Sequence, residues 1–341
     1  MTWNWQKPDW PNFRWDRARL EAAEKGFLVS GGVFVGAVRH FGKEERDQLT
    51  IEAMSAEAVS TSEIEGEILD RASVQSSLRK QLGLAKDERR VRPAERGIAD
   101  MMVDLHRSLA GPLSAETLFR WHRMVMSGSR NLRDVGHYRA GAEPMQVVFG
   151  PIGEAGVHFE APPSSRVPSE MERFISWFNR TAPAGQEPLS ALTRAGIAHL
   201  YFASIHPFED GNGRVGRAVA EKALAQSLGQ PTLAALAATI LSRRKSYYEA
   251  LEAANKENEI TRWLMWFAGV AIEAQRRTIA LVEFLIDKTK LLDRLKGQLN
   301  RRQEKALLRM FREGPDGFKG GLSAGKYSTH HRSLCRDHRP G

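Results

Sequence analysis

Residues 206–217 read His-Pro-Phe-Glu-Asp-Gly-Asn-Gly-Arg-Val-Gly-Arg. An imidazole, two adjacent carboxylates and two guanidiniums three residues apart are crowded into this one stretch. A turn needs only the Asp-Gly-Asn-Gly part, so the rest calls for a chemical role. A helix entered through Asn212 and Gly213 would present unpaired N–H groups and a partial positive charge, which together attract an anion. Gly211 and Gly213 would let the backbone approach a phosphate closely. Arg214 and Arg217 would share one face of the first turn, and two guanidiniums over a helix N-terminus suit a polyphosphate. A carboxylate in such a place repels phosphate unless a cation lies between them, so Glu209 or Asp210 points to Mg²⁺. His206 is the neighbouring group able to take a proton at neutral pH. The combination describes transfer of a phosphate-containing group onto a hydroxyl.

The complete pattern, His-x-Phe-x-[Asp/Glu]-Gly-Asn-Gly-Arg-x-x-Arg, resembles the signature of the Fic family at every specified position. The Trp-rich start, the Gly-x-Tyr-Arg at 136–139 and the VHFEAPP at 157–163 extend the resemblance over residues 1 to 320. It implies transfer of AMP from ATP to a Ser, Thr or Tyr hydroxyl of a target protein, with self-modification as a further outcome. It further implies that His206 deprotonates the hydroxyl and that Asp210 holds Mg²⁺. Gly211, Asn212 and Gly213 would then cradle the α- and β-phosphates, and Arg214 and Arg217 the distal ones. Gln146, Val147, Val148, Val157 and His158 would form the family's flap, which aligns the target segment by strand-like pairing. Phe208 is expected to pack under the loop. Removal of AMP, or another phosphate-group transfer, is the alternative on the same scaffold.

A second stretch, Thr61-Ser62-Glu63-Ile64-Glu65-Gly66, matches the family's inhibitory pattern [Ser/Thr]-x-x-x-Glu-[Gly/Asn]. Thr61 and Glu65 are four apart, so on a helix they share a face and Thr61 can help orient the carboxylate. Glu65 pairing with Arg217 would deny that arginine to the γ-phosphate.

These groups need a scaffold, and most of the chain reads as helix. Pro93 opens a helix whose apolar face is Ile98, Met101, Met102 and Leu105. Ser114 caps the next. Others are expected over 169–180, 189–205, 214–228, 242–256 and 259–290, and a helical run starting near Gly42 carries the inhibitory pattern. Two β-type runs, Gln146–Phe149 and 157–159, flank a glycine-rich turn and predict a hairpin, which must lean on helices or a partner to persist. The expected architecture is an all-α Fic-fold bundle with a small β-hairpin flap. Its parts are a helical region at 1–110, a catalytic core at 111–260 and a C-terminal helix with a basic tail at 261–341.

The chain has 341 residues and a formal charge of +9. Fourteen of its 50 Lys/Arg but only five of its 41 Asp/Glu follow residue 287, so the whole surplus lies in the tail. Weak nucleic-acid binding is therefore expected of the tail alone, which makes a DNA-associated regulator the alternative of a different class. The segment from Leu299 to Tyr327 resembles the start of a winged-helix module, but STHHRSLCRDHRPG follows instead, so the module reads as truncated. The near P-loop at 320–326 lacks the Ser/Thr after Lys326, and His330, His331, Cys335 and His338 fit no standard zinc spacing. One cysteine excludes an internal disulfide and fits a reducing cytoplasm, and no apolar run is long enough for a membrane. Trp3, Trp5, Trp10, Phe13 and Trp15 are expected to clip onto their own domain or onto the mate in a homodimer rather than to stack on bases.

Overall fold

A computed structural model of the protein describes residues 2–39, 41–84, 91–129, 132–149, 156–232 and 234–312. Over these, helices dominate as the patterning requires: α1 (Ala18–Arg39), α2 (Lys43–Ile64), α3 (Arg71–Gln81), α4 (Pro93–Arg107), α5 (Ala115–Val125), α6 (Val167–Arg180), α7 (Ala191–Ile205), α8 (Asn212–Leu228), α9 (Leu236–Ser242), α10 (Arg244–Ala254), α11 (Thr261–Arg294) and α12 (Arg301–Arg312). Strands β1 (Gln146–Phe149) and β2 (Gly156–Glu160) form the expected antiparallel hairpin.

Backbone contacts divide the chain into two units, Met1–Arg276 and Arg277–Gly341. In the first, α7 is buried on every side along almost its whole length, Arg194 and His199 included. Glu24 of α1 caps its N-terminus, accepting from the Leu192 and Thr193 amides at 2.9 and 2.7 Å. α8 packs along α7, so the segment joining them is held between two fixed helix ends. In the second unit, Phe284 of α11 meets Phe311 of α12 edge-on. The sites considered at 320–326, His330, His331, Cys335 and His338 lie outside the described residues.

The aromatic arm folds onto its own chain. Trp3, Trp5 and Trp10 are buried, the Trp10 indole donates to Glu170 at 3.0 Å, and its ring meets Tyr201 edge-on. The expected helix over 242–256 is α10, which starts two residues later because Arg243 leaves helical geometry (φ −122°, ψ 26°) and caps both it and the preceding α9. Glycines 26, 31, 32 and 36 hide α1 from a propensity reading.

Candidate active site

His206 is the residue at which α7 stops. Pro207 disfavours right-handed helical geometry for the residue before it, and His206 turns to φ 51°, ψ 60°. It is the one non-glycine with positive φ among the described residues. A side chain held there costs about 1–2 kcal/mol, so something must offset it. Arg139, buried behind the turn, does so: its Nε donates to the His206 carbonyl at 2.8 Å, and its Nη2 to Pro162 at 2.5 Å and Ile205 at 3.4 Å. The Arg139 amide also donates to the Pro207 carbonyl at 2.9 Å. Charge-assisted bonds contribute about 1.5–3 kcal/mol each, more than the turn requires. The His206 imidazole is pushed down to about 4, by burial first and the Arg139 charge second. Both causes favour the neutral ring.

The rest of the loop is closed from within. Phe208 is fully buried, as expected, and stacks on His122 of α5 with ring centroids 4.0 Å apart. The Asn212 amide clasps the Phe208 backbone, accepting from its N–H at 2.9 Å and donating to its carbonyl at 2.8 Å. Its side chain is thus committed to the loop, leaving only its backbone N–H for a ligand. His122 Nδ1 accepts from the Gly136 amide at 2.9 Å, which leaves Nε2–H to donate to the Asp210 carbonyl at 3.1 Å. The two carboxylates separate by partner. Glu209 accepts from the Arg133 and Asp134 amides at 2.9 and 3.3 Å, so it staples a neighbouring loop. Asp210 stays exposed, with Oδ1 taking the Gly211 amide at 2.5 Å and its other oxygen without a protein partner among the described residues. Of the pair, Asp210 is the one available to a hard cation.

α8 begins at Asn212, two residues earlier than the sequence suggests, with Gly211 at φ 79° as its cap. A Cβ on Gly211 would lie 2.8 Å from Met126 Sδ, so both conformation and space demand glycine. The first turn exposes the expected anion site, and a carboxylate stands in it. Glu65 Oε1 lies 2.7 Å from Arg217 Nη2, and a Cβ on Gly213 would fall on that same oxygen.

The end of α2 explains this placement. Glu65 caps α2, Gly66 follows at φ 86°, the Gly66 amide bonds Glu63 O at 3.0 Å and the Glu67 amide bonds Ser62 O at 3.0 Å. These paired bonds are a Schellman ending, which needs a left-handed residue and so favours Gly or Asn after the glutamate. Thr61 does not orient the carboxylate. Its hydroxyl and carbonyl instead accept from Arg217 Nε and Nη2 at 2.7 and 2.8 Å, so Thr61 and Glu65 converge on one guanidinium. Glu67 reaches Arg214 Nη1 at 2.8 Å. Both arginines of the first turn are therefore engaged by carboxylates from the end of α2. Arg217 Nη1 and Arg214 Nε are buried and meet no acceptor among the described residues.

One turn back on α2, Glu57 accepts the Ala237 amide on both oxygens, at 2.9 and 2.8 Å. Burial and the nearby Glu221 of α8 raise its carboxyl to about 8, and burial raises Glu221 to about 7. The hairpin has the register Gln146↔Glu160, Val147↔Phe159, Val148↔Val157, with a bulge that sets His158 apart. It leans on helix and arm: His158 Nδ1 bonds Glu252 at 2.6 Å, and the Trp5 indole donates to Glu160 O at 2.6 Å.

His122, Glu67 and the Glu57–Glu221 pair escaped the sequence reading. An acid one residue beyond the Gly66 turn was the available signal for Glu67; the others depend on long-range packing. Among the described residues no three His, Cys, Asp or Glu groups gather as a metal site, and no helix is long and apolar enough to cross a membrane.

Residues 112–224 match the profile of the Fic/DOC family, and residues 3–84 match a domain of unknown function, DUF4172. The chain thus carries a Fic/DOC family domain at residues 112–224. Over 101 residues it is 29% identical to a probable protein adenylyltransferase of Aquifex aeolicus, covering 30% of this chain and 28% of that protein. Over 143 residues it is 25% identical to the protein adenylyltransferase fic-1 of Caenorhabditis briggsae, covering 42% of this chain and 24% of that one. The matches thus span about a quarter of the length of these curated relatives. In fold, it resembles a Fic family protein from Desulfovibrio desulfuricans G20 at TM-score 0.56 and 22% identity, over 92% of this chain and 86% of the other. Fic-1 (residues 134–508) from C. elegans gives 0.55 and 21%, over 77% and 75%.

Proposed function

We propose that this chain is a protein adenylyltransferase that moves AMP from ATP to a Ser, Thr or Tyr hydroxyl of a protein, and that Glu65 holds it in check. The hydroxyl oxygen attacks the α-phosphorus as its proton passes to a ring nitrogen of His206. The bond from that phosphorus to the β-phosphate oxygen breaks, and diphosphate leaves. The α8 N-terminus with Gly211 and Gly213 binds the inner phosphates. Arg214 and Arg217 bind the outer ones, which the buried donors without acceptors on both support. Asp210 would hold Mg²⁺, which would supply neutralisation of phosphate charge. The flap would position the target segment along an exposed strand edge.

The observation that carries the reading is a carboxylate seated in an anion site built from a helix N-terminus and two arginines. It supports both the ligand class and the restraint, since Glu65 and a γ-phosphate cannot share Arg217. The curated relatives named adenylyltransferases support the same chemistry. Incubating Glu65→Gly with ATP labelled on either the α- or the γ-phosphate tests it. Label should stay on protein from the α-position only and vanish with His206→Ala; retention from the γ-position would mean phosphoryl transfer instead.

A further inference from the structure

His206 and the flap are separate in sequence, yet one side chain joins them. Arg139 takes the carbonyls of Ile205 and His206 at the end of α7 and that of Pro162, two residues beyond β2. Its own amide takes the next carbonyl along, that of Pro207. It is 5% exposed and forms no ion pair among the described residues, so its charge is met only by these oxygens. The fork geometry of a guanidinium suits this, whereas an ammonium is a single point. At the other end of α7, Glu24 caps the helix, so the helix cannot slide to relieve the turn.

We propose that Arg139 is the positioning residue of this site: it fixes the left-handed turn that aims His206 and ties that turn to the exit of the flap. This rests on the transferase reading for its catalytic consequence, but the geometry stands without it. Arg139 touches no group of the phosphate cradle. It governs where the base points and how the flap base is set, and so should affect turnover rather than nucleotide affinity. Its charge also faces the imidazole, alongside the opposing charges of Glu65 and Asp210.

The test uses Arg139→Gln and Arg139→Lys in the full chain, each with and without Glu65→Gly. Three quantities are read: ATP affinity by calorimetry, turnover, and the His206 titration by NMR, assigned from the spectrum of His206→Ala. Arg139→Gln should raise the His206 midpoint by roughly one pH unit. It should lower kcat about tenfold or more through misplacement of the base, with ATP affinity unchanged. Arg139→Lys should lower kcat while the midpoint stays low. Unchanged turnover in Arg139→Lys, an unmoved midpoint in Arg139→Gln, or affinity lost in step with rate overturns the proposal. If Glu65→Gly transfers no AMP, the functional reading fails while the titration still decides on Arg139. If neither variant folds, the wild-type protein decides: the Arg139 Nε–H must exchange slowly, and a fast-exchanging signal overturns the bond to His206.

Discussion

Replacing Glu65 should release the enzyme by an amount that the structure bounds. The carboxylate meets a guanidinium that is 2% exposed, at 2.7 Å, while Glu65 itself is 30% exposed. A hydrogen bond to a charged group contributes about 1.5–3 kcal/mol, and the partial exposure of Glu65 argues for about 2 kcal/mol. That corresponds to roughly a thirtyfold preference for the closed clamp, so about one molecule in thirty would offer Arg217 to a γ-phosphate. Apparent affinity scales with that competent fraction. Glu65→Gly should therefore raise kcat/KM for ATP roughly thirtyfold. Glu65→Gln keeps a neutral bond worth about 1 kcal/mol and should give roughly fivefold. The assay is the initial rate of AMP incorporation across ATP concentrations, with calorimetric ATP binding alongside. A folded Glu65→Gly with unchanged rate and unchanged ATP affinity would refute the competition.

Three further outcomes follow from neighbouring groups. Gly66→Ala forces a side chain into the left-handed region at about 1–2 kcal/mol and should release activity partially, whereas Gly66→Asn should leave it restrained; paired incorporation rates separate the two. Glu67→Gln removes the charge from the Arg214 contact, and Glu67 is more than a third exposed, so the gain should be about two- to fivefold and should shrink with added salt. Glu57 and Glu221 have folded carboxyls raised to about 8 and about 7, so the native state binds more protons than the unfolded chain between pH 4.5 and those values. Their contribution is fully present at acid pH and is lost as pH rises; Glu221→Gln should raise Tm at about pH 9 and leave it unchanged at about pH 4. Equal shifts at both pH values would exclude that coupling.

The loop, the hairpin and the cap at Ser114 were legible because each is written locally: charge types at fixed spacing, β-branched runs around a glycine turn, a hydroxyl before an apolar stripe. The pairing of Glu65 with Arg217 was legible only through the family resemblance, since the residues lie far apart in the chain. Its geometry was not legible. Helical periodicity placed Thr61 beside the carboxylate, whereas α2 ends one residue earlier and Thr61 turns to the guanidinium. Arg139 read as part of a motif, with nothing local to show that its partners are three carbonyls from two distant segments. α1 was obscured for an energetic reason: its glycines lower helix propensity, and burial of Leu20, Phe27 and Phe34 overrides that loss.

In the proposed mechanism one chain holds both a competent base and its own restraint. The most direct measurement is the intact mass of wild type, Glu65→Gly and Glu65→Gly/His206→Ala after incubation with each nucleoside triphosphate and Mg²⁺. A gain of one or more adenylyl groups in Glu65→Gly, from ATP only, much reduced in wild type and absent in the double variant, is the predicted result. No gain with any nucleotide, or a gain that persists without His206, would contradict it.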